Sequence, residues 1–150
     1  MKTETVHATA VAFDGEAVLL RGEPGAGKSS MALELMETSG TGLGNGRLQA
    51  SLIADDQTVL TMRDGRVWCA APAPLAGLLE VRGIGIITVP VSGPAPLKLV
   101  VDLVASRDAL RLPEPHEKTT QILGHAVPLL VLDKAGAARA SRIRTAFLYH

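Results

Sequence analysis

A chain of 150 residues, 47% hydrophobic and 20% charged, is long enough and apolar enough to bury a core of its own as one domain. Its fifteen basic and fifteen acidic residues cancel, which argues against a general nucleic-acid-binding function. Neither a signal peptide nor an apolar run of about 18 residues is present, so we expect a cytoplasmic protein that does not enter a membrane. The single cysteine, Cys69, cannot form an internal disulfide and is predicted to fill a place in the core.

The first predicted elements form a hairpin. Thr5–Phe13 is rich in β-branched and small residues, and Glu16–Arg21 is mostly apolar. Asp14 and Gly15 between them are typical of a two-residue hairpin turn, so the two strands are predicted to pair antiparallel. His7 lies on the first strand, where it is either an ordinary strand histidine or, if strand pairing brings it there, a neighbour of the loop that follows.

The second strand leads into a glycine-rich loop, GEPGAGKS, followed by a helix predicted over Lys28–Thr38. The segment fits the phosphate-binding pattern G-x-x-x-x-G-K-[ST], in which backbone N–H groups and a helix N-terminus face phosphate oxygens. The predicted nucleotide-binding residues are Gly22, Glu23, Pro24, Gly25, Ala26, Gly27, Lys28 and Ser29. Lys28 is expected to reach the β- and γ-phosphates, and the Ser29 hydroxyl to ligate Mg²⁺. A chance match on a glycine-rich helix start is the alternative.

A pair of acids follows the next predicted strand. The glycine-rich segment Thr38–Arg47 is predicted to be a mobile connector, and Leu48–Ala54 a buried strand that ends at Asp55 and Asp56. A carboxylate in this place can hold a metal-bound water or act as a base in phosphoryl transfer. Because neighbouring strand residues point to opposite faces, we expect the two acids to divide these roles. A solvated strand end is the alternative.

A second hairpin is predicted from Gln57–Met62 and Arg66–Ala71, with its turn at Asp64 and Gly65 and with Trp68 in the core. After it, the segment LEVRGIGIITV places Glu80 and Arg82 directly before a glycine pair whose backbone a ligand can approach closely. Glu80 could then ligate a metal and Arg82 could contact a phosphate. An ordinary strand after a glycine turn explains the segment equally well.

The remaining segments are predicted to be strands at Leu97–Val104, Thr119–Leu123 and Val127–Leu132, and helices at Ser106–Leu112 and Lys134–Phe147. The terminal helix carries Arg139, Arg142 and Arg144. A solvated face with cations near the helix C-terminus is the simpler interpretation. A docking surface for an acidic partner is the other.

Four segments, taken in this order, resemble the catalytic domain of HPr kinase/phosphorylase, the bacterial enzyme that acts on a serine of the phosphocarrier protein HPr. They are HATAV at 7–11, GEPGAGKS at 22–29, LIADD at 52–56 and LEVRGIGII at 79–87. The resemblance covers about residues 5–132, and LEVRGIGII is its most specific part. The chain is similar to the short bacterial form that lacks the separate N-terminal domain.

The resemblance implies a role for each of these residues. Gly22–Ser29 would bind the ATP phosphates with Lys28 catalytic, and Ser29 and Glu80 would hold Mg²⁺. One acid of the Asp55 and Asp56 pair would take the seryl proton and, in the reverse direction, return it while inorganic phosphate attacks.

The resemblance also bears on three further positions. His7 matches the active-site histidine of the family. Arg82 belongs to the segment used in both directions, and Arg111 stands where the family has an arginine that contacts phosphate.

The implied fold is an α/β domain over residues 1–150: a P-loop domain of the phosphoenolpyruvate-carboxykinase type, with antiparallel hairpins in a mixed sheet flanked by helices. The implied cofactors are ATP and Mg²⁺, and the implied partner is an HPr-type carrier, with hexamers common in the family. Residues 127–144 contain no clear counterpart of the basic loop associated with dephosphorylation, which favours the kinase direction. A small-metabolite kinase, or an ATP-binding sensor that docks a partner through its terminal helix, would use the same nucleotide site.

Overall fold

The computed structural model describes residues 2–109 and 118–150. Over these residues the chain is an α/β structure with a mixed sheet. The strands are β1 Thr3–Val6, β2 Thr9–Phe13, β3 Glu16–Arg21, β4 Ser51–Ala54, β5 Thr58–Arg63, β6 Arg66–Ala70, β7 Leu78–Val81, β8 Gly85–Thr88, β9 Ala95–Val104, β10 Thr119–Ile122 and β11 His125–Asp133. The α-helices are α1 Lys28–Glu37, α2 Ser106–Ala109 and α3 Arg139–Tyr149.

The large sheet has the strand order β1-β5-β6-β9-β3-β2-β4, and β11, with β10 beside it, also pairs with β9. β9 is long enough to have two partners on one side: its first residues pair with β6, and its second half, Val100–Val104, pairs with β11. The pairs β3–β9 and β9–β11 are parallel, whereas the other pairs are antiparallel. The carboxyl ends of β3, β9 and β11 therefore meet at one edge, where the glycine loop follows β3.

Alternation along the strands divides the core between the two faces of the sheet. Val18 and Leu20 of β3 point to the face covered by α1 and α3, whereas Ala17 and Leu19 point to the other. Helix α1 buries the stripe Met31, Ala32 and Leu35 against the first face. Phe147 of α3 packs edge-to-face on Phe13, with ring centroids 5.2 Å apart, which fixes α3 over β2.

The hairpins predicted around Asp14-Gly15 and Asp64-Gly65 are confirmed as β2–β3 and β5–β6. The single strand predicted over Thr5–Phe13 is wrong, because the chain turns at His7 and Ala8 and divides into β1 and β2. Long-range pairing decides this break: β1 pairs with β5, while β2 pairs with β3 and β4. The turn places His7 at the end of a strand rather than within one.

The segment LEVRGIGIITV forms a hairpin of its own. β7 and β8 pair antiparallel across a turn that contains Gly83, and together they make a separate two-stranded sheet. The strand predicted from Leu48 begins only at Ser51, because Leu48 forms an isolated bridge to Gly40. That bridge closes the glycine-rich connector, whose Gly42 packs so closely on α3 that a Cβ there would lie 2.6 Å from the Arg144 backbone.

The terminal helix begins at Arg139, five residues later than predicted, because Lys134 and Ala135 continue a turn held by Val104 and Asp133. The solvated arginine face predicted for this helix is wrong for Arg144, which is 3% exposed. Its guanidinium donates to the carbonyl oxygens of Leu35 and Thr38 at the end of α1, and to that of Leu48. The carbonyls of Leu35 and Thr38 are among those that the end of a helix leaves without intrahelical partners.

Two other core predictions have different outcomes. Cys69 is fully buried, as predicted, and burial raises the pKa of its thiol to about 12. Trp68 is only partly buried, because one face of its ring is covered by the Arg63 guanidinium, 3.7 Å from the ring centroid, rather than by the core. The described helices include none that combines the length and hydrophobicity needed to cross a bilayer.

Candidate active site

The glycine loop between β3 and α1 has one closely packed end and one open end. A Cβ at Gly22 would lie 2.8 Å from the Ala26 Cβ and 3.0 Å from the Leu103 carbonyl oxygen, so the loop leaves β3 in tight contact with β9. Gly25 and Gly27 are left-handed, with φ of 86° and 91°, and a Cβ at either would meet no described atom within 4 Å. The open end lies where α1 begins, which is the geometry that accepts an anion.

Lys28, the first residue of α1, is 7% exposed. Its Nζ donates a hydrogen bond of 2.9 Å to the Gly22 carbonyl oxygen and a longer one, of 3.5 Å, to that of Glu23. The Lys28 side chain therefore reaches from the end of the loop back to its first residues, Gly22 and Glu23. A cation held in this position lies beside the open glycines, and among the described residues its hydrogen-bond partners are backbone carbonyls rather than acidic side chains.

Asp55 ties three elements together beneath the loop. Its Oδ1 accepts hydrogen bonds from the Ser29 hydroxyl at 2.6 Å and the Thr9 hydroxyl at 3.1 Å, and its Oδ2 accepts the backbone N–H of Glu80 at 3.0 Å. The residue is 8% exposed. Because both carboxylate oxygens are occupied, Asp55 connects α1, β2 and the β7–β8 hairpin.

Asp56, the next residue, points the other way. Its side chain is 58% exposed, and its Oδ1 lies 3.0 Å from Nε2 of His7, whose side chain is 55% exposed. Asp56 has a φ of 66° and is the middle residue of a turn closed by a 2.7 Å hydrogen bond from Gln57 N to the Asp55 carbonyl oxygen. The expectation that the two acids face different surroundings is confirmed, and strained backbone of this kind often marks a functional residue.

One cavity of about 500 Å³ collects most of the predicted site residues. Its wall is formed by the second half of the glycine loop, the His7–Asp56 pair and the β7–β8 hairpin. The lining residues are His7, Pro24, Gly25, Gly27, Lys28, Ser29, Ser30, Asp56, Glu80, Val81, Arg82, Gly83, Ile84 and Gly85. Cations, carboxylates and open glycines thus surround one space.

The other predicted site residues lie elsewhere. Asp55 lies below the cavity, bonded to Ser29. Gly22, Glu23 and Ala26 line a second cavity on the other side of the loop. Arg111 lies outside the described residues, and its predicted contact with phosphate stays a prediction.

A metal site made by the protein alone is not found within residues 2–109 and 118–150, where no group of three or more His, Cys, Asp or Glu side chains could hold an ion. The predicted ligands, Ser29 and Glu80, nevertheless line the same cavity. Mg²⁺ in phosphoryl-transfer sites commonly takes one or two protein ligands and completes its shell with phosphate oxygens and water. The donor set fits an ion that arrives with a nucleotide.

Sequence reasoning missed Thr9. Its hydroxyl donates to Asp55 and accepts the backbone N–H of Asp56 at 3.1 Å, so it fixes both acids at once. A threonine in a strand is an ordinary residue, and only the pairing of β2 with β4, which sets Ala10 opposite Ala54, brings it to the acids. No local signal in the sequence indicates this contact.

Comparisons with known proteins identify the family of the chain. The family model described as HPr Serine kinase C-terminal domain matches residues 1–146. The chain belongs to this family. The predicted resemblance to HPr kinase/phosphorylase is therefore confirmed at the level of the family.

Among curated relatives, the chain is 40% identical over 87 residues to the HPr kinase/phosphorylase of Levilactobacillus brevis, a match over 57% of this chain and 25% of that protein. It is 29% identical over 140 residues to that of Brevibacillus brevis, over 87% of this chain and 42% of that protein. The chain thus spans less than half the length of these relatives.

A solved structure, that of the Hpr(Ser) kinase/phosphatase from Coxiella burnetii, matches with a TM-score of 0.78. The match covers 97% of this chain and 88% of that one at 24% identity. It confirms the predicted α/β fold with a mixed sheet.

Proposed function

We propose that this chain is an ATP- and Mg²⁺-dependent kinase that phosphorylates a serine of an HPr-type phosphocarrier protein. One observation carries the proposal: a chain of the HPr kinase family combines, in a single cavity, a glycine loop with a buried lysine and an exposed Asp56–His7 pair. Phosphoryl transfer requires a cradle for the donor phosphates and a base for the acceptor hydroxyl, and the cavity contains candidates for both.

The glycine loop is the proposed phosphate site, which makes the fold a P-loop domain of the phosphoenolpyruvate-carboxykinase type. Gly25 and Gly27 leave room for oxygens beside the N-terminus of α1, and Lys28 offers its ammonium group next to them. ATP would supply the phosphoryl group, and Mg²⁺ held by Ser29 and Glu80 would neutralise charge on the phosphates. To ligate the ion, Ser29 would turn its hydroxyl proton toward Asp55, to which it already donates.

Asp56 is the proposed base. Asp55 has both carboxylate oxygens occupied by hydrogen bonds from three groups, so its role is to position Ser29, Thr9 and the β7–β8 hairpin. Asp56 has an exposed carboxylate facing the cavity, and one of its oxygens can take the seryl proton while His7 Nε2 holds the other in place. A serine hydroxyl is a weak nucleophile at neutral pH, so this proton acceptor matters to the rate.

Arg82 is proposed to contact the transferred phosphoryl group from the far wall of the cavity, where it is exposed on the hairpin turn. Arg111 is proposed as a second such contact by the family resemblance alone. With no clear counterpart of the basic C-terminal loop, we infer that the kinase direction predominates over phosphorolysis. We also infer that the chain acts as one catalytic unit that assembles into homo-oligomers.

The test is to incubate the purified protein with Mg²⁺, γ-labelled ATP and an HPr-type carrier. Label on the carrier, lost when the acceptor serine is replaced by alanine, is the expected result. Label on a small metabolite instead would favour a metabolite kinase. ATP binding without transfer to either would leave a nucleotide-dependent sensor and overturn the kinase proposal.

A further inference from the structure

The His7–Asp56 pair is too exposed to hold its own geometry. Both side chains are more than half exposed, and the 3.0 Å contact between Nε2 of His7 and Oδ1 of Asp56 lies at the surface. Exposed pairs of this kind contribute little free energy, because water competes for both groups. The orientation of the pair must therefore come from the backbone that carries it.

Each member of the pair is the middle residue of a three-residue turn. At His7 the turn is closed by Ala8 N, which donates a 3.1 Å hydrogen bond to the Val6 carbonyl oxygen. At Asp56 the equivalent hydrogen bond measures 2.7 Å, and the φ of 66° is left-handed. In a residue other than glycine such a conformation persists only when the surrounding structure holds it.

A buried threonine follows each turn. Thr9 is two residues after His7, and its hydroxyl accepts the backbone N–H of Asp56 at 3.1 Å. Thr58 is two residues after Asp56, and its hydroxyl donates to the Ala8 carbonyl oxygen at 2.9 Å. Both threonines have no exposed surface. Each turn is thus followed by a hydroxyl that bonds to the backbone of the other turn.

The topology shows why these two bonds matter. The strand order places β1 and β5 at one end of the large sheet and β2 and β4 at the other. The turn at His7 leads from β1 to β2, and the turn at Asp56 leads from β4 to β5, so both cross between the two ends. The two threonine hydroxyls join these crossings. A buried hydroxyl lowers stability unless it is hydrogen-bonded, and here the bonds it forms fix the two turns to each other.

We propose that Thr9 and Thr58 are positioning residues that set the distance between His7 and Asp56, and thereby the rate at which the acceptor serine loses its proton. This inference rests on the proposed function, because it takes Asp56 to be the base. Neither threonine lines the first cavity, so both act through the pair. Thr9 has the larger expected effect, because its hydroxyl also donates to Oδ1 of Asp55.

The kinetic test replaces each hydroxyl by a methyl group and then restores it. Thr9→Val and Thr58→Val are expected to lower kcat by about tenfold and about threefold, because a displaced base takes the proton less efficiently. The KM for ATP should be unchanged in Thr58→Val, since that hydroxyl bonds to the Ala8 carbonyl oxygen rather than to the glycine loop. Thr9→Ser and Thr58→Ser should regain most of the wild-type kcat. Thr5→Val, at an exposed threonine of β1, is the matched control and should equal the wild type.

A double variant shows whether the effect passes through the base. In the Asp56→Asn background, Thr58→Val should lower kcat no further, because the proton acceptor that it positions is already absent. Additive losses would overturn the positioning role. Should Thr9→Val fail to fold, Thr58→Val decides, because its hydroxyl has a neutral partner and its loss leaves Asp55 with its three donors.

A spectroscopic measurement tests the geometry without activity. The nitrogen NMR resonance of His7 Nε2, assigned by its absence in His7→Asn, reports the contact with Asp56, and Asp56→Asn gives its position when the carboxylate is lost. Both valine variants are expected to move the resonance toward that position, and both serine variants to leave it where it is in the wild type. An unchanged resonance in the folded valine variants, or serine variants that behave like them, would overturn the proposal.

The two proposals fail in different ways. Label on a carrier, with kcat and the His7 resonance unchanged in the valine variants, would overturn the positioning role and support the kinase. A resonance that shifts as expected, in a protein that transfers no label to any carrier, would overturn the kinase proposal and leave the two threonines as the residues that orient the His7–Asp56 pair.

Discussion

The floor and the wall of the first cavity are built differently. The floor consists of Lys28 and Asp55, which are 7% and 8% exposed and hydrogen-bonded to their own loop or to neighbouring elements. The wall consists of the exposed His7–Asp56 pair and the β7–β8 hairpin with Glu80 and Arg82. Buried charges need partners, so the hydrogen bonds of the fold itself keep the floor residues in place. The wall keeps its charges in solvent, available to a substrate.

The largest effect on activity is expected at the floor of the cavity. Lys28→Ala should lower phosphoryl transfer by roughly 10³-fold or more, because charge neutralisation on the transferring group is the main contribution of the protein. The melting temperature should change little, since the lost hydrogen bonds are to carbonyls of the half-buried Gly22 and the exposed Glu23. Transfer is measured with labelled ATP. Lys2→Ala, at an exposed lysine, serves as the control, and equal activity of the two variants would contradict the assignment.

The two acids test the comparison most directly. Asp56→Asn should lower kcat by roughly 10²-fold or more, because an amide cannot take the seryl proton, and should leave the unfolding temperature unchanged. Asparagine tolerates the left-handed backbone at this position, so the variant removes the charge without adding strain.

Asp55→Asn should instead destabilise the protein, by about 1–3 kcal/mol, because one end of the amide would face a donor with another donor. Thermal unfolding measured beside kcat separates the two variants. Parallel losses of stability and activity in both variants would remove the distinction between the floor and the wall of the cavity.

A smaller effect is expected at the hairpin. Glu80→Gln should shift the Mg²⁺ concentration for half-maximal activity upward by roughly tenfold, because a neutral amide is a weaker ligand for a hard cation. A magnesium titration of the initial rate measures this shift. Glu37→Gln, at an exposed residue on the last turn of α1, is the matched control. An unaltered titration for the Glu80 variant would exclude its side chain from the metal shell.

The smallest effect on the chemistry is expected at Arg144, which is far along the chain from the loop but supports α1. Arg144→Leu should lower the free energy of unfolding by about 3 kcal/mol, since it removes the guanidinium that donates to the carbonyl oxygens of Leu35, Thr38 and Leu48. The kcat of the folded fraction should be unchanged. Arg142→Leu, on the exposed side of the same helix, should stay within about 0.5 kcal/mol of the wild type in chemical denaturation.

Features encoded by adjacent residues could be predicted from the sequence. The β2–β3 hairpin follows from its Asp-Gly turn, and the start of α1 from the glycine-lysine-serine motif, since each is decided within a few residues. The different orientations of Asp55 and Asp56 agree with the expectation, but strand alternation is not their cause: both residues lie beyond the end of β4, and the left-handed turn at Asp56 directs the two side chains apart.

Features decided across the chain could not be predicted. The break at His7 depends on β1 choosing β5 as its partner, and the role of Thr9 depends on β2 meeting β4. Arg144 looked like a surface cation because its partners lie about a hundred residues earlier, at the end of α1. The cavity lined by Gly22, Glu23 and Ala26 likewise depends on which strands lie beside β3, a choice that no local pattern encodes.

The pairing of β9 with both β6 and β11 has a consequence for how the protein unfolds. Its first residues belong to the antiparallel half with β6, and its later residues hold β11 beside the glycine loop. Both halves share β9 as a strand, so unfolding of one half would leave backbone hydrogen-bonding groups of β9 in the other half without partners. We therefore expect amide protons of β6 and β11 to exchange with solvent at the same rate under native conditions, as members of one cooperative unit.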